Sequence, residues 1–257
     1  MESGAWNWSF EKVGNRRIPI LNISGGTEIG GGILSNTLLK PIAPAGFNTA
    51  LLGMDADVYD AQKQSVYGKT GELVLKKPWL GMTYGFWKEP DRYEAAYWNV
   101  WEDTWIHGDA VMRDEDHFWE IIGRSDDTLN VAGKRMGPAE IESILSDNPA
   151  VLEVGVIGVP DEVKGESAVC FVVLNQGYIP SPDLGAELMQ MVATRLGKSL
   201  RPKEIHFVAD LPKTRSAKIM RRAIRAAYLR EDPGDLSSLE NPDSLEKIQQ
   251  QCLEKIE

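Results

Sequence analysis

Cysteine is nearly missing from this chain. Cys170 and Cys252 stand alone and far apart, which excludes a disulfide framework and a CxxC metal site. Histidine is as sparse: His107, His117 and His206 are scattered without zinc-ligand spacing and read as surface or internally satisfied residues. Basic charge is in deficit. The 28 Lys and Arg are outnumbered by 38 Asp and Glu, for a formal net charge of −10. That excludes a general nucleic-acid binder, which shows a basic face. An anionic small ligand stays open, because one local Lys/Arg cluster suffices to hold a phosphate. No apolar run approaches the roughly 20 residues that span a bilayer, and the first residues lack a signal peptide's apolar core. These absences predict a cytoplasmic protein without a membrane span. Internal repeats and low-complexity tracts are missing too.

What is present is ordinary globular material. Hydrophobic residues make up 42% and charged residues 26% of 257 positions, enough for one large domain or two modest ones. Residues 18–24 (IPILNIS) predict a buried strand ahead of a glycine-rich turn, GGTEIGGG. The run from Met1 through GAWNWSF shows no helix or earlier strand to pair with it, so a segment upstream is expected to be missing. Residues 41–75 read as short strands between turns, the pattern of a small barrel or twisted antiparallel sheet. Trp79, Trp87, Trp98, Trp101 and Trp105 crowd the next stretch, either as an aromatic ligand box or, the favoured reading, as packing. GDAVMRDEDHFWEIIGR then predicts a hairpin with an acidic turn.

After Arg124 the character changes to a small α+β unit. AEIESILSDN is a helix led by Pro138, VLEVGVIGV and SAVCFVVL are strands, and 183–200 is an amphipathic helix with apolar 184, 188, 191, 192 and 196. The strand EIHFVAD, a basic helix from near Ile219 and a short helix in SLEKIQQQCLEKIE complete it. The boundary is expected inside GRSDDTLN.

Three segments offer chemistry. SGGTEIGGG sets a hydroxyl and a carboxylate on a glycine-rich turn, where backbone amides can approach phosphate oxygens and a carboxylate can hold Mg²⁺. Such turns are common, so alone it says little. Asp109 and Arg124 could converge on a ribose diol, the carboxylate accepting and the guanidinium donating hydrogen bonds; the plainer alternatives are a turn aspartate and a surface ion pair. Lys218, in LPKTRSAKIMRR, reads either as a solvated helix start or as a lysine delivered to an active site to clamp a carboxylate and a phosphate.

Taken in order, TEIGG, GD, GRSDDTLNVAGKRMGPAEIE and PKTRSAKIMRR resemble the signature motifs of the acyl-CoA synthetase, adenylation-domain and luciferase superfamily. DRYEAAYW, GRSDD and the tail GDLSSLENPDSLEKI most resemble acetyl-CoA synthetases and their close acyl-CoA relatives. The resemblance covers nearly the whole chain. It implies an α+β chain: the end of the large adenylate-forming domain (a strand plus a small β-barrel subdomain) in residues 1–123, a hinge at 124–128, a small mobile C-terminal domain at 129–232 and an acidic tail at 233–257.

Members of that family activate a carboxylate with ATP to an acyl-adenylate, release pyrophosphate, rotate the small domain and transfer the acyl group to coenzyme A. The resemblance therefore implies ATP/AMP, Mg²⁺ and coenzyme A as cofactors and a small carboxylate as substrate. By similarity Thr27 contacts the α-phosphate, Glu28 binds Mg²⁺, Asp109 and Arg124 hold the ribose, and Asp126 is the hinge. Gly133 and Arg135 lie on the loop facing the active site during thioester formation, Gly133 beside the pantetheine and Arg135 within the nucleotide-binding set. Lys218 matches the lysine needed for adenylation but not for thioester formation.

Three departures stand out. Acetyl-specific enzymes carry a tryptophan two residues before the motif threonine; here Gly25 stands there, which implies an open acyl pocket and an acyl group larger than acetyl. The usual Ser-Gly-Lys is Ser216-Ala217-Lys218, a matter of one methyl group unless that position needs positive φ. The family's phosphate loop and the segments before it are absent, so this chain alone is expected not to adenylate efficiently. Three alternatives follow: a catalytic fragment completed by an N-terminal half chain, a non-catalytic remnant binding nucleotide, coenzyme A or a partner, and an adenylation domain loading a carrier protein. An exposed sheet edge predicts association, with that half chain or as a homo-oligomer.

Overall fold

The structure is a computed structural model that describes residues 3–254. It divides into two compact units, Met1–Asp126 and Asp127–Glu257. Helix and sheet are mixed in both.

The first unit begins with helix α1 (Ser3–Trp8) and a π-helical segment, Ser9–Val13, where the sequence predicts no helix. Strands β1 (Ile23–Gly26), β2 (Gly31–Ser35) and β3 (Thr49–Ala50) form a small antiparallel sheet. A second antiparallel sheet follows in sequence order: β4 (Ala56–Tyr59), β5 (Thr70–Leu75), β6 (Trp105–Arg113) and β7 (Trp119–Arg124). Its first and last strands are not paired with each other among the described residues, so the order is that of an open meander. Helix α2 (Pro90–Tyr97) packs beside β6. The core joins Ile33, Leu34, Val58, Leu73, Leu75, Val111 and Trp105, and Tyr97 stacks on Trp105 with centroids 4.0 Å apart. Trp79 and Trp98 pack against this core, as the packing reading expects; Trp87 does not and is exposed. The apolar residues Ile18, Leu21 and Ile23, read from sequence as a buried strand, are exposed as well.

The second unit is a three-layer arrangement around one sheet. The hairpin of β8 (Leu129–Val131) and β9 (Lys134–Met136) leads into helix α3 (Pro138–Ser146), whose Glu140 reaches back to accept from Gly137 N at 3.2 Å. Strands β10 (Val151–Asp161) and β11 (Gly165–Leu174) pair antiparallel along their length. After α4 (Pro182–Leu196), β12 (Glu204–Phe207) pairs parallel with β11. Period-two alternation splits these strands between two cores. Val154, Val156, Cys170 and Val172 face α3 and α4, while Ile157, Val159, Val169 and Phe171 face α5 (Arg221–Leu229) and α6 (Pro242–Glu254). Burial on both faces explains why the strands read as unbroken apolar runs. No described helix is long and apolar enough to cross a membrane.

Candidate active site

The glycine-rich segment folds as a β1–turn–β2 hairpin with an irregularity between Ser24 and Gly25. Glycine is required at two points. A Cβ on Gly25 would lie 2.1 Å from the Gly31 carbonyl oxygen, and one on Gly30, whose φ is +63°, would lie 2.3 Å from the Gly81 carbonyl oxygen. The turn is fastened from outside: Trp79 Nε1 donates to Ile29 O at 2.8 Å and Thr83 N donates to Glu28 O at 2.9 Å. Thr27 is exposed at the turn's tip and Glu28 is half-buried. The Tyr97 hydroxyl faces the Glu28 carboxylate, and burial together with that negative charge pushes the phenol's pKa up.

Asp109 and Arg124 are direct cross-strand partners on β6 and β7. Arg124 Nη1 donates to Asp109 Oδ1 at 3.2 Å and to His107 O at 3.1 Å, and its Nε lies 3.5 Å from Asp126 Oδ1. Beneath the guanidinium sits Gly108, with φ +79°, where a Cβ would come within 2.5 Å of Arg124 Nη2. Glu72 ties the ends of three strands together: it accepts from Gly108 N at 3.0 Å and from Ser125 Oγ. His107 is buried beside Gly26, its Nε2 3.6 Å from Asp109 Oδ2. Burial holds its pKa below the ordinary value; Arg124 adds to this, and Asp109, Glu28 and the nearby Gly25 backbone oppose it. Glu28, Asp109 and Arg124 thus gather within electrostatic reach of one imidazole.

Sequence reading missed His107, Tyr97 and Glu72. The only signal for Glu72 was a carboxylate inside the otherwise apolar strand TGELVL, and for His107 its place directly before the Gly-Asp pair.

In the second unit Lys218 is exposed on a tight loop. Lys213 and Ile219 bridge at its base, Thr214 N donates to Lys218 O at 2.9 Å, and Ala217 N donates to Thr214 O at 2.8 Å. Ala217 has φ +60°, the left-handed conformation that glycine adopts without strain. Gly133 (φ +80°) and Ala132 (φ +52°) form the two-residue turn joining β8 to β9, with both residues left-handed as such hairpins require. A Cβ on Gly133 would meet nothing within 4 Å, so open space lies beside it. Arg135 and Asp126 are exposed.

Residues 140–218 match the family described as AMP-binding enzyme C-terminal domain. The chain is 41% identical, over 95% of its length, to the acetyl-coenzyme A synthetase of Methanothrix thermoacetophila, and spans 38% of that protein. It is 40% identical to that of Rubrobacter xylanophilus, spanning 39% of it. Among solved structures, an acetoacetyl-CoA synthetase from Streptomyces lividans superposes with a TM-score of 0.86 over 98% of this chain and 39% of that one. At 24% identity that likeness shows the fold. An anthranilate CoA ligase complexed with anthranoyl-AMP is 28% identical, with a TM-score of 0.73 over 88% of this chain and 42% of that one.

Proposed function

We propose, for a chain that belongs to the AMP-forming acyl-CoA synthetases and spans under two fifths of its acetyl-CoA synthetase relatives, that it supplies the carboxyl-terminal part of such an enzyme. The reaction joins a carboxylate to ATP, with release of pyrophosphate, and then passes the acyl group to coenzyme A with release of AMP. The observation that carries this is the Asp109–Arg124 pair, held across β6 and β7 and sharing one electrostatic neighbourhood with Glu28 of the glycine-rich turn. A carboxylate that accepts from a ribose diol and a guanidinium that fixes both is the chemistry of nucleotide retention.

Within that reading Thr27 donates from the tip of the turn to the α-phosphate. Gly25 and Gly30 are taken up by close contacts with the Gly31 and Gly81 carbonyl oxygens and Gly26 by His107, so the phosphate is met at the exposed Thr27 tip. Glu28 is the one carboxylate at the turn, and no three-carboxylate or histidine cluster exists among the described residues. That donor set suits Mg²⁺, which takes one or two carboxylates and completes its shell with phosphate oxygens and water. Bound there, the ion would offset phosphate charge. Lys218, exposed on its loop, bridges the substrate carboxylate and the α-phosphate as negative charge moves between them. Asp126, exposed between the units, is the hinge. For the thioester step the β8–β9 turn presents Gly133, with open space for pantetheine beside it, and Arg135.

The acyl group is larger than acetyl, because Gly25 offers no side chain to wall off the pocket. The hairpin as built excludes a tryptophan there, since even a Cβ would strike Gly31. Catalysis requires the segment that precedes the matching stretch in the relatives, in the same polypeptide or as a separate half chain. Leu39, Leu52, Leu80 and Trp87 in the first unit are each at least 87% exposed, which suits such a partner. The same exposed residues are ones a non-catalytic interaction module would use, and this is the alternative reading.

ATP–pyrophosphate exchange decides between them, measured across carboxylates from acetate to medium-chain acids. We expect silence from the 257 residues alone, exchange once the preceding segment is supplied, and its loss with Lys218→Ala. Continued silence favours the interaction module; exchange restricted to acetate removes the larger acyl group.

A further inference from the structure

The loop carrying Lys218 has little packing of its own, since residues 215–218 are all exposed. Its two arms pair through Lys213 with Ile219, and through Met220 N donating to Pro212 O at 2.8 Å. A third arm comes from the tail, which in sequence reads as an acidic stretch ending in a short helix. Thr214 bridges Leu239 antiparallel and Glu240 N donates to Lys213 O at 2.9 Å.

Asn241 closes the arrangement. Its Oδ1 accepts from Lys213 N at 2.9 Å, while its Nδ2 donates to Asp210 Oδ2 at 2.7 Å and to Leu211 O at 2.8 Å. Its carbonyl accepts from Ser244 Oγ at 2.7 Å in the first turn of α6. Lys213 Nζ is clamped by Glu153 at 2.6 Å and Asp210 at 3.2 Å. Arg222, four residues after Lys218, donates to the carbonyls of Pro233 and Asp235 and draws the tail across α5. Leu236 and Leu239 pack against the same core as Ile219 and Met220, a core in which Leu245 and Ile248 are buried.

We propose that residues 236–241 are a positioning element for the Lys218 loop, with Asn241 as its anchor. Ordering an exposed loop costs backbone conformational entropy at every residue, and the strand that offsets this is borrowed from the carboxyl-terminal segment. A passive extension would have no reason to aim one side chain at three groups at the base of this loop. The functional half of the inference rests on Lys218 being the adenylating lysine; the positional half does not.

The test is amide hydrogen exchange on the chain itself. Asn241→Asp keeps an acceptor for Lys213 N but removes both donated bonds and sets a carboxylate against Asp210. Exchange at residues 213–218 should quicken roughly tenfold, with β10 and β11 amides unchanged. The double variant Asp210→Asn, Asn241→Asp restores the pair with its polarity reversed, though not the bond to Leu211 O, and should restore most of the protection. Loop exchange within about twofold of the parent in Asn241→Asp overturns the proposal. So does lost protection that spreads through β10 and β11 and is not rescued. In an enzyme completed by the preceding segment, Asn241→Asp should slow ATP–pyrophosphate exchange through kcat more than KM and spare thioester formation from preformed acyl-adenylate. Equal loss in both half-reactions overturns the functional half. If Lys218→Ala leaves adenylation intact, the Lys218 reading fails instead, and the exchange result on the loop is untouched by it.

Discussion

Asp109 and Arg124 face each other across β6 and β7, with Arg124 Nη1 3.2 Å from Asp109 Oδ1, so each holds the other in place, and the proposed function gives the pair the ribose. Arg124 Nη1 also donates to His107 O while its Nε lies 3.5 Å from Asp126 Oδ1, a spread across two nitrogens that a lysine's single nitrogen cannot copy. Arg124→Lys should weaken AMP binding about tenfold, and Asp109→Ala about 10- to 100-fold, the range for lost hydrogen bonds to charged groups. Calorimetric titration of AMP into the enzyme completed by its preceding segment reads both. Unchanged affinity in Asp109→Ala would remove the ribose role.

Gly108→Ala should act on the same pair with both partners left unsubstituted. Its φ of +79° is unfavourable for alanine by roughly 1 to 2 kcal/mol, and the new methyl would meet Arg124 Nη2 at 2.5 Å. Thermal unfolding followed by tryptophan fluorescence isolates the first unit, because every tryptophan lies between Trp6 and Trp119. We expect a lower melting temperature and weaker AMP binding together. Parent-like values of both would show the guanidinium free to move aside.

The parts of the fold legible in sequence are those whose burial is decided locally. β10 and β11 are sandwiched between helices and so read as continuous apolar runs; α4 shows its single buried face as 3.6-residue spacing. Ile18, Leu21 and Ile23 misled because composition records hydrophobicity, not whether anything covers it. His107, Glu72 and Tyr97 were invisible for another reason. Glu72 joins the site through Gly108 and Ser125, 36 and 53 residues away, and His107 and Tyr97 through Gly26 and Glu28, so the faint local cues at Glu72 and His107 named no partner. Ala217 was legible as a question: the sequence raised the matter of positive φ, and the backbone has it.

Acid should weaken the first unit through His107. Burial holds this imidazole neutral, below the ordinary histidine value of about 6.5, so near pH 6 the unfolded chain binds more protons than the folded one. Stability from this group is complete above that value, falls as pH drops below it, and stops falling once folded His107 also protonates. Asp109, Glu28 and Arg124 face it, the carboxylates narrowing the window and the guanidinium widening it. Urea unfolding monitored by tryptophan fluorescence at pH 7.5 and 5.5 should show a loss that His107→Gln removes. An identical slope in the variant would assign the acid sensitivity elsewhere.

The second unit has its own test in Glu142 and Arg221. Arg221 NH groups donate to both Glu142 oxygens at 2.8 and 2.6 Å, and Glu142 Oε1 also accepts from Val156 N at 2.9 Å. Both side chains are largely withdrawn from water, at 21% and 11% exposed, and Asp127 lies 3.8 Å from the same guanidinium. Glu142→Ala leaves that guanidinium with a weaker partner and the Val156 amide without its acceptor inside a core. Removing one member of a buried pair costs about 3 to 5 kcal/mol, so far-UV circular dichroism should show the second unit unfolding first. Tryptophan fluorescence, blind to it, should stay at the parent's midpoint. Substituting both residues with apolar side chains of similar volume should recover much of the loss, since the cost lies in the stranded charge rather than in a missing attraction.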